Sequence, residues 1–352
     1  NIQVESVAWW NVANALTRNA SNGYSDWSML SAVGRAIYNY DNRYMFTGTF
    51  RADGSSRFTN HKWGYFPSVA FAWTASNEKF MENLRHTISN LKLRVSYGVI
   101  GNQDIAPYST LALMSQTTTY FGSDTGVTGY WANTLATPDI KWEKTNQFDL
   151  GLDLGLWDNR LTLSLDYFDK RTTDALLSTS LPNYLGGTSY LINAGEVSNK
   201  GIDFAISADV FRTDDFDWTT SMNGTYLKNK VVKLTAQEPR LYSGVMPGIC
   251  DDGTSIITEG EAIGSFYGYR WAGIDEEGYD SYYQSDGGIT RNPDPTTDRV
   301  VLGHSTPDFT LGWNNSLRYK NWSLNVFFNS SFGVKRLNVL RFAMNEMIGN
   351  SR

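Results

Sequence analysis

From Gln147 to Tyr167 apolar and polar residues alternate, interrupted only by one tight turn. Phe148, Leu150, Leu152, Leu154 and Leu156 share one parity; Gln147, Asp149, Gly151, Asp153 and Gly155 share the other. Beyond Asp158-Asn159 the pattern resumes as Leu161, Leu163, Leu165 and Tyr167 against Thr162, Ser164 and Asp166. Side chains of a strand point alternately to its two faces, so this spacing predicts strands with one face in an apolar medium and one in a polar medium. The rule recurs in YMFTGTFRAD (Tyr44 to Asp53), LKLRVSYGV (Leu91 to Val99), IDFAISADV (Ile202 to Val210, with Val210 on the apolar parity) and Trp322 to Asn329. About twelve such strands of roughly ten residues are expected, the length that crosses a bilayer at a tilt.

The connections between them are unequal. Tyr40 to Arg43, Asp158-Asn159, Arg212 to Asp215 and Lys320-Asn321 are tight turns, whereas Thr173 to Asn199 and Lys230 to Ala262 are long and polar. Short turns on one side and long loops on the other are the habit of outer-membrane barrels. A helical interruption is predicted over Asn77 to Ile88, where Phe80, Met81 and Leu84 recur at helical spacing. Aromatic residues gather near the predicted strand ends: Tyr40, Tyr44, Trp63, Tyr65, Trp73, Trp142, Trp157, Trp218, Tyr226, Trp313, Tyr319 and Trp322. Such rings favour the membrane–water boundary because ring and polar tip prefer different media.

Composition changes this picture little. The 352 residues include 31 Gly, 9 Pro and 14% aromatics, a mix that suits many strands joined by turns. A net charge of −6 speaks against a nucleic-acid partner. Mean hydropathy of −0.38 and the lack of an 18-residue apolar run exclude membrane-spanning helices but not a barrel, whose strands are only half apolar. The single cysteine, Cys250, excludes a disulfide framework, and His61, His86 and His304 are too scattered to suggest a metal site. No cofactor is expected. With no Met at Asn1 and an end at Arg352 that follows a mid-structure segment, the chain is expected to be a fragment.

No phosphate-cradling loop, nucleophile elbow or His-Glu-x-x-His pair occurs. Leu185 to Thr188 reads as a turn. The acidic pairs Asp251/Asp252 and Glu276/Glu277 lie side by side on loops and cannot flank a glycosidic bond from two sides, so the chain is not expected to be an enzyme.

Several segments, in order, resemble the barrel of the SusC/RagA family of TonB-dependent outer-membrane transporters. They include RADGSSRF (Arg51 to Phe58), WGYFPSVAFAW (Trp63 to Trp73), LKLRVSYGVIGNQDI (Leu91 to Ile105), PDIKWEKTNQFDLGLD (Pro138 to Asp153), NAGEVSNKGIDF (Asn193 to Phe204) and PDFTLGWNNSLRYKNWSLNVFFNSSFG (Pro307 to Gly333). The resemblance implies an all-β fold, a transmembrane antiparallel β-barrel of 22 strands closed by an N-terminal plug. Residues 1–352 would then form part of one barrel domain, with the plug and remaining strands outside this chain. It further implies a SusD-like surface lipoprotein as partner, energy from the TonB-ExbB-ExbD complex, and contact with outer-membrane lipid. Where the family often carries a glycine-rich acidic run, this chain has Arg291 to Arg299 with Pro293 and Pro295, so no Ca²⁺ is expected there.

The function expected is active import of a bulky nutrient, an oligosaccharide or oligopeptide. Candidate substrate contacts on the polar parity are Arg51, Asp53, Arg94, Asp149, Asp153 and Asp203, with Lys92, Asp166 and Arg318 as further lumen-facing charges. Tyr184, Tyr190 and Tyr242 are loop aromatics able to stack on a sugar face. Two alternatives stay open on the residues alone: a soluble all-β carbohydrate-binding or hydrolytic protein, and an importer of iron chelates or cobalamin.

Overall fold

The computed structural model describes residues 24–120, 126–180, 189–235, 239–244 and 253–341. Its frame is one antiparallel sheet of ten strands: β1 (Met29–Tyr40), β2 (Tyr44–Ser55), β3 (Trp63–Thr74), β4 (Ile88–Asn102), β5 (Glu143–Leu156), β6 (Leu161–Thr173), β7 (Glu196–Arg212), β8 (Phe216–Lys233), β9 (Phe309–Tyr319) and β10 (Trp322–Phe332). Each strand pairs with its sequence neighbours, so the sheet is a meander with β1 and β10 at its edges. Ten strands form this sheet among the described residues, against the twelve expected. The remaining strands build three small sheets within the long loops.

Turns alternate in length along the meander. At one end, Asp41 and Asn42 both take positive φ (51°), as do Asp158 (56°) and Asn159 (61°). Asx residues tolerate that region, and the resulting turns match the twist of the flanking strands. At the other end, residues 103–142, 174–195 and 234–308 connect successive strands. The first two loops join edge to edge in a four-stranded sheet where Ser189 pairs in parallel with Thr134. The helical interruption exists as two 3-10 segments, Ala75–Asn77 and Lys79–Leu84, rather than one α-helix. Only Met81 of its three apolar residues is buried. A turn that short satisfies its backbone with tighter bonds.

Glu78 ties this short-turn end together. Its carboxylate accepts the Tyr44 hydroxyl at 2.6 Å, the Arg43 guanidinium at 3.1 Å and the Trp73 indole at 3.2 Å. Those bonds, the Tyr44 hydroxyl first, hold its pKa below the ordinary glutamate range.

Cross-strand register decides what each face holds. Leu152 stands opposite Leu93 on one side and Leu165 on the other; Leu150 stands between Val95 and Tyr167. The apolar parity is the exposed one: Leu150 is 49% exposed, whereas Gly151 and Gly155 on the polar parity are buried. The soluble alternative required a second sheet or helices over Leu150, Leu152 and Leu154; no described residue supplies that cover. One departure breaks the parity rule. A bulge between Asp209 and Phe211 leaves Val210 unpaired and turns Phe211 outward, where it stacks on Trp218 with ring centroids 6.1 Å apart.

The aromatic residues mark two bands on the outer face. Tyr40, Tyr44, Trp73, Trp157, Trp218, Tyr319 and Trp322 lie toward the short turns, and Trp63, Tyr65 and Tyr226 toward the long loops. Trp63 and Trp73 close the two ends of the apolar stretch of β3. Ten steps of about 3.4 Å, tilted by about 40°, give an apolar height of about 25 Å. Trp313 lies mid-strand on β9, opposite Met222 and Phe328 and outside both bands, and Trp142 departs further from the girdle expected of it. It is 3% exposed and packs on Phe58, Phe66, Ile105 and Ile140 within the only sizeable buried apolar cluster of the described residues. Its indole donates to the Lys62 carbonyl at 3.1 Å, so the segment before β5 folds inward over the concave face.

Candidate functional site

The concave face carries the chemistry. Its centre is Arg94 on β4, whose Nε and Nη2 reach Asp153 at 2.8 and 2.9 Å and whose Nη2 also reaches Asp166 at 3.0 Å. The reach across β5 depends on Gly151. A Cβ there would sit 2.4 Å from Asp166 Oδ1 and 2.7 Å from Arg94 Cζ, so the missing side chain is the space the ion triad occupies. Ser164 Oγ donates to Asp153 at 2.9 Å. Asp203 stands directly opposite Asp166 on β7, and its carboxylate has no ion pair with any described residue. Like charges opposed across strands repel, and Arg94 offsets this from one side only.

The other candidates are dispersed. Asp149 accepts Ser96 Oγ at 3.1 Å and Gln147 Nε2 at 2.9 Å. Arg51 pairs with Asp53 at 2.8 Å, and Asp53 is only 4% exposed. Arg318 pairs with Asp217 at 3.0 Å near the short turns. Tyr190 sits on the loop strand Ser189–Asn193, and Tyr242 on the loop strand Arg240–Ser243 with its ring 6.0 Å from that of Tyr267. Tyr184, Cys250 and the Asp251/Asp252 pair lie outside the described residues, as does Leu185 to Thr188. The structure therefore gathers Arg94, Asp153, Asp166 and Asp203 into one patch, with Lys92 opposite Asp153 at its edge, and leaves the rest apart.

Residues that parity alone did not single out complete the face. A groove of about 500 Å³ runs between Asp203, Asn223, Thr225, Thr310, Asn329 and the ring of Phe327. A second, of about 440 Å³, continues from it past Ser207, Ser221 and Asn314. Phe327 was invisible because it belongs to the apolar run Val326-Phe327-Phe328; only its pairing opposite Asn314 shows that it points inward. A third groove, of about 610 Å³, lies over β2 to β5 and is bounded by Phe66 and Trp142 of the buried cluster.

Carboxylates in the long loops are used locally. Asp298 accepts the backbone N–H groups of Ser285 and Asp294, at 2.9 and 2.8 Å, and these bonds lower its pKa. Asp275 binds the N–H of Tyr279 and pairs with Arg291, which also holds Glu277 at 2.8 Å. No group of three or more metal-ligating side chains converges among the described residues.

A sheet with an outward apolar band between two aromatic belts, an inward charged wall, and long loops at one end defines the wall of an outer-membrane β-barrel. Residues 5–330 match the model of the TonB dependent receptor-like β-barrel, and the chain belongs to that family. TonB-dependent receptor P3 of Formosa agariphila is 39% identical over 353 residues, which cover 96% of this chain and 35% of that protein. TonB-dependent receptor SusC of Bacteroides thetaiotaomicron is 30% identical, over 86% of this chain and 31% of its own length. The solved RagAB peptide transporter superposes with a TM-score of 0.75 at 28% identity, over 87% of this chain and 34% of that one. The chain thus spans about a third of the length of the curated relatives it matches. Membership places it among outer-membrane β-barrels of TonB-dependent receptors of SusC/RagA type, a family of receptors and not of enzymes. Barrels of this kind have short periplasmic turns and long extracellular loops.

Proposed function

We propose that the full-length protein imports a bulky polar nutrient, an oligosaccharide or oligopeptide, across the outer membrane in a TonB-dependent step, working with a SusD-like surface lipoprotein. Strands and a plug encoded outside this chain would complete the barrel, because an open edge in lipid leaves backbone groups unsatisfied. The observation that carries the reading is the polarity of the concave wall. Arg94, Asp153, Asp166, Asp203 and the amide- and hydroxyl-lined grooves offer a hydrated surface able to hydrogen-bond a polar cargo. The ring of Phe327, 65% exposed on that wall, adds a stacking surface for a sugar face or an apolar side chain. Arg51, Asp53, Asp149, Tyr184, Tyr190 and Tyr242 remain candidate contacts along the approach. Likeness to a peptide transporter makes oligopeptide the first class to try.

The test is genetic. Deleting the full-length gene should abolish growth of the source bacterium on one polymeric nutrient class and spare growth on monomers. Unchanged growth on every glycan and peptide supplied would refute import of this cargo class. A defect confined to iron or cobalamin limitation would favour the chelate reading instead.

A further inference from the structure

The concave wall is not uniform, and the difference follows from register. Two rows can be read across β6 to β10, Ser164–Ala205–Asn223–Gly312–Asn329 and Thr162–Ser207–Ser221–Asn314–Phe327, and a third, Thr219–Ser316–Asn325, covers β8 to β10 and meets the charged Asp209 of β7 opposite Thr219. None of these thirteen residues is charged. They are amides, hydroxyls, two small residues and one ring. Asp166 and Asp203 bound the rows above, and the Asp217–Arg318 pair lies below. Two continuous grooves run down this sector. Gly312 contributes to their depth, since a Cβ there would stand 2.4 Å from Asn223 Oδ1. Over β1 to β3 the inward face instead mixes apolar Val33, Ile37, Met45, Ala70 and Ala72 with the charges Arg35, Arg51 and Asp53, and the groove over β2 to β5 meets Phe66 and Trp142 of the buried cluster.

A passage for polar cargo needs contacts favourable enough to enter and weak enough to leave, and apolar constrictions dewet. Neutral amides and hydroxyls supply exchangeable donors and acceptors, whereas an isolated charge would hold the cargo. We infer that cargo crosses the wall along the uncharged β6–β10 sector rather than past Ile37 and Ala70 on β1 and β3, where charged and apolar positions are mixed. This rests on the import reading above.

Single-cysteine accessibility tests it in the full-length protein in its native outer membrane, in a cysteine-free background that includes Cys250→Ser. Asn223→Cys and Asn314→Cys report on the proposed lane, and Ile37→Cys and Ala70→Cys on the inward face of β1 and β3. Cells are exposed to a sulfonated, membrane-impermeant maleimide with and without an uncoupler, and folding of each variant is checked by its heat-modifiable gel mobility. The expected result is labelling at Asn223 and Asn314 that rises several-fold on energisation, with Ile37 and Ala70 unchanged. A rise confined to Ile37 and Ala70, or equal at all four, overturns the lane while leaving import standing. No energy-dependent change at any position removes the import reading and the lane with it.

Discussion

Gly151 shows how much one absent side chain can do. The Arg94 guanidinium crosses the β5 backbone to reach Asp166 only because nothing projects from position 151. Gly151→Ala forces a methyl group into that space, and overpacking of this kind costs about 1–3 kcal/mol. The outward-facing Gly48 is the matched control, since a Cβ there meets only a Phe46 ring carbon at 3.9 Å. Urea unfolding of the full-length protein in detergent should show a lowered midpoint for Gly151→Ala and an unchanged one for Gly48→Ala. Equal midpoints would mean that the triad relaxes without loss. At this scale the sequence revealed that Arg94, Asp153 and Asp166 share a face. It did not reveal that they touch, because the contact depends on which residues β4, β5 and β6 set side by side.

For the strands, the deciding fact is which face meets lipid. Leu152 lies mid-strand between Leu93 and Leu165 on the outward face. Leu152→Arg should therefore cost about 2–4 kcal/mol, as expected for a cation near the bilayer midplane. Gln147→Arg on the inward face should cost far less. Refolding into phosphatidylcholine vesicles measures both, and a small penalty at Leu152 would contradict the lipid assignment. The strands also run longer than the roughly ten residues the alternation predicts: β7 has 17 and β8 has 18. Their extracellular ends carry outward charges, with Lys200 paired to Asp169 at 2.7 Å, so those ends stand above the apolar band. At the periplasmic end, Glu78 gives a pH dependence. Its folded pKa is lowered, so its contribution is present above the unfolded value of about 4.3 and is lost as pH falls through the folded value. Between pH 6 and 3, wild type should lose stability more steeply than Glu78→Gln in thermal gel-shift assays; parallel curves would deny the Glu78 contribution.

At the level of the whole molecule, the cluster around Trp142 couples loops to wall. Phe58 follows β2, Phe66 lies within β3, Ile105 follows β4, and Ile140 and Trp142 precede β5, so one core fixes two extracellular connections at once. Trp142→Ala should cost about 3–5 kcal/mol locally and speed protease cleavage within residues 103–142 of the folded protein. Unchanged cleavage would show that the loop is held by its sheet alone. The sequence by itself determined the period-2 strands, the outward leucine wall, the inequality of turns and loops, and the resemblance to SusC/RagA barrels. Those are local properties, written in spacing and composition. The tertiary structure decided the rest: the register that pairs Arg94 with two aspartates, the bulge that turns Phe211 outward, the inward aim of Phe327, and the removal of Trp142 from the girdle. Each depends on residues far apart in the chain meeting across strands, and no period along a single strand encodes that meeting.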